Sequence, residues 1–425
     1  MTGLTSHRLA NGMLVLLHES HSAPVATSWV WYRVGSRNET LGTTGISHWV
    51  EHMLFKGTPS MPPGEMDRLI ARNGGSFNAF TSYDYTAYYE TLPADRIELA
   101  LRIESDRMAN SLFVPEEVES ERTVILAERE GYENEPDHWL NEAVMAAAFQ
   151  VHPYRNDVIG WRGDLLAITR DELYEHYQTY YTPNNAVLVL AGDFDSDAML
   201  RQIETYFGSL PTGPALPALR AIEPEQQGER RVIVRRPGPA EYLQIGYRSP
   251  NAKHPDFAAL LVLDGVLSGA KGMGMGGGGQ TNRSARLYRA LVETQIASYA
   301  GSSFRPTVDP NLFEFSAGVQ EGHTTIEIER VLETEIGKVQ QDGVSQDELT
   351  KVIKQIRAQT AYSGESVTNQ ALLLGMWEVL DSHARLDTLL DEIAAVTADN
   401  VRQMAQRYLI PDRRTVGLFI PTGAA

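Results

Sequence analysis

The stretch Gly45-Ile-Ser-His-Trp-Val-Glu-His-Met-Leu-Phe-Lys-Gly57 contains an H-x-x-E-H pattern formed by His48, Glu51 and His52. On a helix these three residues share one face, because positions i, i+3 and i+4 are neighbours. The residues around them are apolar, which predicts a buried helix with a polar stripe. No basic partner is evident nearby in the sequence. The cluster therefore predicts a divalent metal that offsets the cost of burying it.

The residue types of this pattern favour zinc. Imidazole nitrogens suit zinc, and a catalytic zinc site combines three protein ligands with one water. Glu51 would then be the base that acts on this water. The order of residues is the inverse of H-E-x-x-H and is that of the inverzincins. A motif this short also occurs by chance, so the motif alone leaves a metal site and coincidence equally open.

Composition narrows the class of protein. The 425 residues allow two or three domains, and the net charge of −18 argues against a nucleic-acid or anionic-membrane partner. The absence of cysteine excludes disulfides and thiolate ligands, so any metal must use histidines and carboxylates. The N-terminus lacks the apolar run of a signal peptide, and no stretch approaches the roughly eighteen apolar residues of a membrane span. We expect a cytoplasmic protein, or a periplasmic one if a leader has been removed.

Periodicity predicts an α+β chain. The predicted elements are a hairpin turning at Asn11-Gly12, a strand within Ala23–Val34, a strand pair turning at Ser82–Asp84, and a helix within Ala94–Asn110. A further long acidic helix begins at Pro115.

Two glutamates of this acidic helix are seven residues apart and share a face: Glu121 and Glu128. Val124 and Ile125 lie between them, which indicates that this face is not simply in solvent. Glu128 is the candidate third ligand.

An internal repeat predicts two related halves. Pro183 and Pro411 match at the same offset as Thr169 and Thr397, and each copy has a helix, a proline turn and an apolar strand. The apolar segment Phe257–Leu267 takes the place of the metal helix but has no histidine. We expect an N-terminal zinc-binding half (1–210), a Pro-rich linker (211–230) and a homologous C-terminal half without metal residues (231–425).

The sequence resembles the pitrilysin family of inverted-motif zinc peptidases, and most closely its mitochondrial-processing-peptidase-like branch. The segments GTTGISHWVEHMLFKGT, FNAFTSYDYTAYY and ERTVILAERE follow the family's order, and the resemblance covers essentially the whole chain. It implies two homologous halves, each with a β-sheet packed by helices, and a clamshell that encloses a chamber when subunits pair.

The resemblance also implies a role for each matching residue. His48, His52 and Glu128 would bind one zinc ion per chain, Glu51 would be the general base, and Glu121 would orient a ligand. Asn78 and Ala79 would hold an extended substrate by strand addition, or they simply end a strand. Phe55 would line the pocket beside the zinc, or it belongs to the core.

One departure from the family concerns its second half, where an arginine and a tyrosine seven residues apart hold the substrate. Here Tyr299 is kept, but Val292 takes the arginine's place and cannot donate a hydrogen bond. One of the nearby Arg283, Arg286 and Arg289 could take over the arginine's role, but the helical register argues against assuming this. The resulting hypothesis is a heterodimer in which a homologous subunit supplies the Arg/Tyr pair, with a homodimer as the alternative.

The Gly-rich segment Ser268–Gln280 lacks the ending of a phosphate-binding loop, so it predicts a flexible substrate-contact loop or a plain insertion rather than a nucleotide site. The expected function is a zinc metalloendopeptidase for the degradation of peptides or unfolded segments. The alternative is a non-catalytic assembly subunit, or a peptide-binding protein, of the same fold.

Overall fold

The structure is a computed structural model that describes residues 3–272 and 283–423. The part up to residue 210 contains, in chain order, β1 (Leu4–Arg8), β2 (Leu14–Glu19), β3 (Val25–Tyr32), α1 (Ile46–Met53), α2 (Glu65–Arg72), β4 (Ser76–Thr81), β5 (Thr86–Pro93), α3 (Glu98–Asn110), α4 (Pro115–Tyr132), α5 (Pro136–Ala148), α6 (Arg162–Ala167), α7 (Arg170–Tyr180), β6 (Ala186–Gly192) and α8 (Ser196–Phe207).

The remainder contains β7 (Arg230–Pro237), β8 (Tyr242–Ser249), α9 (Phe257–Ser268), β9 (Ala297–Phe304), β10 (Asn311–Val319), α10 (Thr325–Asp342), α11 (Gln346–Ser363), α12 (Val367–Leu380), α13 (Arg385–Ala394), α14 (Ala398–Tyr408) and β11 (Arg414–Thr422). Within the described residues, none of these helices is long and apolar enough to cross a membrane. The α+β class predicted from the sequence is confirmed.

The first sheet has the strand order β1-β2-β6-β3-β5-β4, so β4 lies at an edge. The strand β3 is buried along almost its whole length. Because side chains alternate across a strand, Val30 and Tyr32 join the core on the α1 side, whereas Trp29 and Trp31 point to the other face. There α12 packs against β3 and β6, and Gly375 lets the helix approach, since a Cβ at this position would overlap the indole of Trp31. Both faces of this sheet are therefore covered.

The second sheet has the order β7-β11-β8-β10-β9. On it α5 packs against β7, β8 and β11, with Leu140 and Val144 close to Gly417. The repeat predicted from the sequence is visible in its local structure. Thr169 begins α7 and Thr397 begins α14, each with a capping box, and each helix leads through a proline turn into a sheet strand.

The chain divides into two compact units, and each is built from segments that are not contiguous. The first comprises Met1–Glu130, Asn156–Arg220 and Gly364–Leu386, and the second Gly131–Arg155, Ala221–Ser363 and Asp387–Ala425. These units differ from the contiguous ranges expected from the sequence at two helices, α5 and α12. Burial of an apolar surface is not directed along the chain, so a helix joins the sheet that covers its apolar residues.

A buried group of charges lies behind α1 in the first unit. Arg107 is buried, and its guanidinium donates to Glu104 (Nε to Oε2, 3.0 Å) and to Glu90 (3.2 Å). The same guanidinium stacks over the ring of Tyr88 at 4.1 Å. Burial, followed by the charge of Glu104, raises the pKa of Glu90 well above its usual range. The triad is thus stable only while the arginine compensates both carboxyl groups.

We predict that Arg107→Met lowers the free energy of unfolding by about 3–5 kcal/mol, because removal of one partner leaves buried carboxyl groups uncompensated. Urea denaturation followed by circular dichroism measures this loss. Arg68→Met is the matched control, since Arg68 forms an exposed ion pair with Glu65 and should contribute no more than about 1 kcal/mol. Equal losses in the two variants would contradict the prediction.

Candidate metal centre

The N-terminus of α1 is held by a carboxylate from the preceding segment. Gly45, with φ +87°, leads into the helix, and Glu39 accepts hydrogen bonds from the backbone N–H groups of Gly45 (2.8 Å) and Ser47 (2.9 Å). Burial raises the pKa of Glu39 to about 7, although both N–H groups favour its ionised form. Asp164 binds the same region through Thr44 Oγ1 at 2.7 Å. These contacts set the position of the helix that carries the histidines.

The structure brings His48, His52 and Glu128 together. The Nε2 atoms of the two histidines are 3.2 Å apart, and Glu128 Oε2 is 3.8 Å from the Nε2 of His48 and 3.7 Å from that of His52. Each of the three side chains has a donor atom that could bind a metal, and these three atoms all lie within 4.8 Å of one another. Among the described residues, this is the group that meets that condition.

The donor set fits a zinc ion. Two nitrogens bound to one tetrahedral zinc at roughly 2.0–2.1 Å would be about 3.3 Å apart, which is close to the observed separation. Burial, and then the neighbouring His52, lower the pKa of His48 to about 3, so its ring is neutral and has a lone pair to donate. The carboxylate oxygen would need to move only a few tenths of an ångström to match.

Glu51 lies on the same helix and is 7% exposed. Thr81, at the end of β4, donates a hydrogen bond from its hydroxyl to Glu51 Oε2 at 2.7 Å. Burial raises the pKa of Glu51, and the Thr81 hydrogen bond opposes this shift. A carboxylate with a raised pKa and a fixed orientation can both take up and release a proton.

Behind the histidines, Glu121 is 4% exposed, and its Oε1 is 2.7 Å from Nδ1 of His52. Burial lowers the pKa of His52, but the contact with Glu121 and the nearby carboxylates outweigh this effect, so the net shift is upward. The other oxygen of Glu121 forms an ion pair with Lys56. The expectation that no basic partner lies nearby in sequence was wrong. Lys56 follows His52 by four residues, and its ammonium group contacts Glu121 on α4.

The face of α4 that carries Glu121 and Glu128 was expected to be shielded from solvent, and it is shielded only in part. Ile125 is fully buried, whereas Val124 is 41% exposed. An open surface depression of about 660 Å³ lies along this side of the helix, lined by Ser120, Thr123, Val124, Ala127 and Glu128. Space for a ligand therefore adjoins the carboxylate of the cluster.

Beside this centre, Asn78 and Ala79 lie on β4, which pairs only with β5 in the described sheet. Asn78 is exposed and Ala79 is half-buried. Phe55 is half-buried and packs against Phe77 and Tyr88, with ring centroids 5.7 and 5.9 Å apart, so it belongs to the margin of the core.

The second unit contains the residues that departed from the family pattern. Val292 ends a π-helical turn, Tyr288–Val292, and is half-buried. Arg286 donates two hydrogen bonds of 2.7 Å to Glu348, so its guanidinium is already engaged. Tyr299 is 38% exposed and donates its hydroxyl proton to Asp137 at 3.0 Å; burial, followed by Asp137, raises its pKa. Most of the Gly-rich segment lies outside the described residues.

Sequence reasoning did not find five residues that hold the metal centre or Tyr299: Glu39, Lys56, Thr81, Asp137 and Asp164. Lys56 had a readable signal, since it follows His52 by four residues, and Thr81 lies inside a quoted segment. Glu39 contacts a nearby segment, but no motif marks it as a cap of the helix. Asp137 and Asp164 had no signal, because their contacts depend on how distant segments meet.

Comparison with known proteins places both halves of the chain in one family. Residues 14–161 match the model described as insulinase, peptidase family M16, and residues 167–356 match the model of the peptidase M16 inactive domain. Zinc protease YmxG of Bacillus subtilis is 27% identical over 414 residues, which cover 97% of each chain. A probable mitochondrial-processing peptidase subunit beta of Arabidopsis thaliana is 27% identical over 405 residues, 94% of this chain and 75% of that protein.

Solved structures agree with this assignment. A protease from Helicobacter pylori superimposes with a TM-score of 0.93 at 27% identity, covering 98% of this chain and 99% of the other. A peptidase M16 inactive domain from Pseudomonas fluorescens shares the fold, with a TM-score of 0.85 at 19% identity, covering 99% of this chain and 98% of the other. The resemblance to the pitrilysin family is therefore confirmed, and the chain belongs to the insulinase family of peptidases, family M16.

Proposed function

We propose that this chain is a zinc-dependent metalloendopeptidase that hydrolyses peptides or unfolded segments. The observation that carries the proposal is the convergence of His48, His52 and Glu128, with the buried carboxylate of Glu51 on the same helix. Two imidazoles and one carboxylate form the donor set of a catalytic zinc site, which keeps a further position for water. The relatives named zinc proteases support this reading.

His48, His52 and Glu128 would hold one zinc ion per chain. When bound, zinc supplies Lewis-acid polarisation of a carbonyl and lowers the pKa of a water. Glu51 takes a proton from the attacking water and later delivers it to the leaving amine, so no covalent acyl-enzyme forms. Thr81 holds the carboxylate of Glu51 in one orientation, and Glu121 holds the ring of His52 from behind.

An extended peptide is the substrate that this site would accept. Within the described residues β4 is an edge strand, so a peptide could add to it beside Asn78 and Ala79 with little demand on the peptide's sequence. The Asn78 side chain, which accepts a hydrogen bond from the N–H of Ala79 at 2.9 Å, would have to give way to the peptide backbone. The open depression along α4 would leave room for the side chains of the peptide beside Glu128. An enclosing chamber, which would exclude folded proteins, stays a prediction.

A partner subunit forms part of the proposal. The second unit has Tyr299 but a valine at position 292, and Arg286 is engaged by Glu348. A homologous chain with an intact Arg/Tyr pair would supply the missing donor in a heterodimer, and a homodimer is the alternative.

The second candidate is a non-catalytic subunit or peptide-binding protein of this fold. It is favoured by Val292 and by the similarity of residues 167–356 to a domain described as inactive. The two candidates differ in their need for Glu51, because binding alone requires no proton transfer.

We predict that Glu51→Gln lowers kcat/KM for a quenched fluorescent peptide by at least about 100-fold, since the amide cannot accept the proton of water. Zinc content measured by atomic absorption on the same sample should stay at one ion per chain. Glu119→Gln, on an exposed part of α4, is the control and should retain activity. If both the unaltered chain and Glu51→Gln bind the peptide but neither cleaves it, the result would favour the non-catalytic candidate.

Thr81→Val should lower kcat by about tenfold, because the hydrogen bond that orients Glu51 contributes on the order of 1 kcal/mol. Zinc content should not change, and Thr81→Ser should restore the rate, since serine keeps the hydroxyl. Thr205→Val, which alters an exposed hydroxyl on α8, is the matched control. A Thr81→Val enzyme with unchanged kcat would refute this role of the hydroxyl.

If the missing arginine limits the isolated chain, Val292→Arg should raise its kcat/KM by at least about tenfold, because one added donor to a developing negative charge is worth this much or more. Val292→Met, of similar length but without a charge, should not. Steady-state cleavage by the chain alone, with its mass determined by light scattering, provides the measurement. Full activity of the unaltered chain as a monomer or homodimer would rule out the need for an Arg/Tyr partner.

A further inference from the structure

Lys56 occupies the turn that follows α1, four residues after His52. Its Nζ forms an ion pair with Oε2 of Glu121, whose other oxygen is 2.7 Å from Nδ1 of His52. The three groups therefore form a chain that runs from a ligand-type imidazole, through a buried carboxylate, to a cation at the edge of the solvent. We propose that Lys56 is a positioning residue of the metal centre, which fixes the ring of His52 by holding the carboxylate of Glu121.

The physical basis is the burial of Glu121. Both of its oxygens are withdrawn from water, and each has one charged or polar neighbour, His52 on one side and Lys56 on the other. Without the lysine, the second oxygen would be buried without compensation, which is costly. The carboxylate could lower this cost by turning toward solvent. This rotation would remove the group that sets the orientation of the His52 ring, and such groups control metal affinity.

The geometry separates this ion pair from an ordinary surface contact. Exposed Lys–Glu pairs contribute little, because water solvates both partners and the side chains are mobile. Here the side chain of Glu121 is 5% exposed and that of Lys56 is 28% exposed. The lysine backbone is also fixed, since its N–H donates to the carbonyl of Met53 at 3.0 Å. The cation is thus held beside the carboxylate by the end of the metal-binding helix itself.

The inference rests on the proposed function, because it assumes that the centre binds zinc. The test measures the zinc dissociation constant of the full chain by competition with a chromophoric chelator, after removal of endogenous metal. We expect Lys56→Met to weaken zinc binding by about 10- to 100-fold. Lys56→Arg should retain the affinity within about threefold, since it keeps the charge. Lys56→Gln gives a second uncharged variant in case the methionine variant does not fold.

A matched control separates the positioning of His52 by Lys56 from the effect of losing any lysine–glutamate ion pair. Lys338 pairs with Glu335, a glutamate that is 11% exposed in its side chain and lies on α10 in the second unit. Lys338→Met should leave zinc affinity unchanged, and circular dichroism should show that the metal-free Lys56→Met and Lys338→Met proteins are both folded at the temperature of the zinc titration.

A double-mutant cycle tests the route through Glu121. In a Glu121→Gln background, Lys56→Met should weaken zinc binding by less than about threefold, because the carboxylate through which the lysine acts is gone. If the wild-type chain binds zinc and both Lys56→Met and Lys56→Gln bind it equally well, the inference is overturned but the proposed function is not. A wild-type chain without zinc affinity would overturn both.

Discussion

The burial of ionisable groups between α1 and α4 is the constraint on which the rest of this centre depends. Glu51 is buried on one helix and Glu121 on the other, whereas His48 is half-buried beside Glu51. The two buried carboxylates are tolerated because specific neighbours compensate them: a threonine hydroxyl for Glu51, and an imidazole with a lysine for Glu121. What is left is a pair of imidazoles facing Glu128 at a separation suited to a shared cation.

Such an arrangement requires rigid supports, because displacements of a few tenths of an ångström decide whether three donors can share one ion. Glu39 and Asp164 hold the start of α1, and the first sheet carries Thr81 to Glu51. That sheet is covered on both faces, which restricts its own motion. The strand edge proposed for substrate binding, β4, ends at the same Thr81. Peptide binding and orientation of the base would thus be linked through one strand.

The two halves share a local pattern of helix, proline turn and strand, but they differ at the helix that carries the metal residues in the first half. The capping boxes at Thr169 and Thr397 and the proline turns after both helices preserve the local structure of the repeat. At the position of the metal helix, however, the second unit has α9, whose residues are almost all buried and apolar. Both copies keep these local folding signals, whereas among the described residues the polar face that could bind a metal is found on α1 and not on α9.

Much of this could be read from the chain alone, where the determining signal is local. The H-x-x-E-H spacing put three groups on one helix face, and the seven-residue spacing of Glu121 and Glu128 predicted a common face on α4. The segments carrying the family resemblance identified the fold class. Only the tertiary structure decided which sheet α5 and α12 would cover, and that Thr81 and Asp164 would reach the helix of the metal centre. Hydrophobic burial and ion pairing act through space without regard to chain order, so no spacing rule could reveal these contacts.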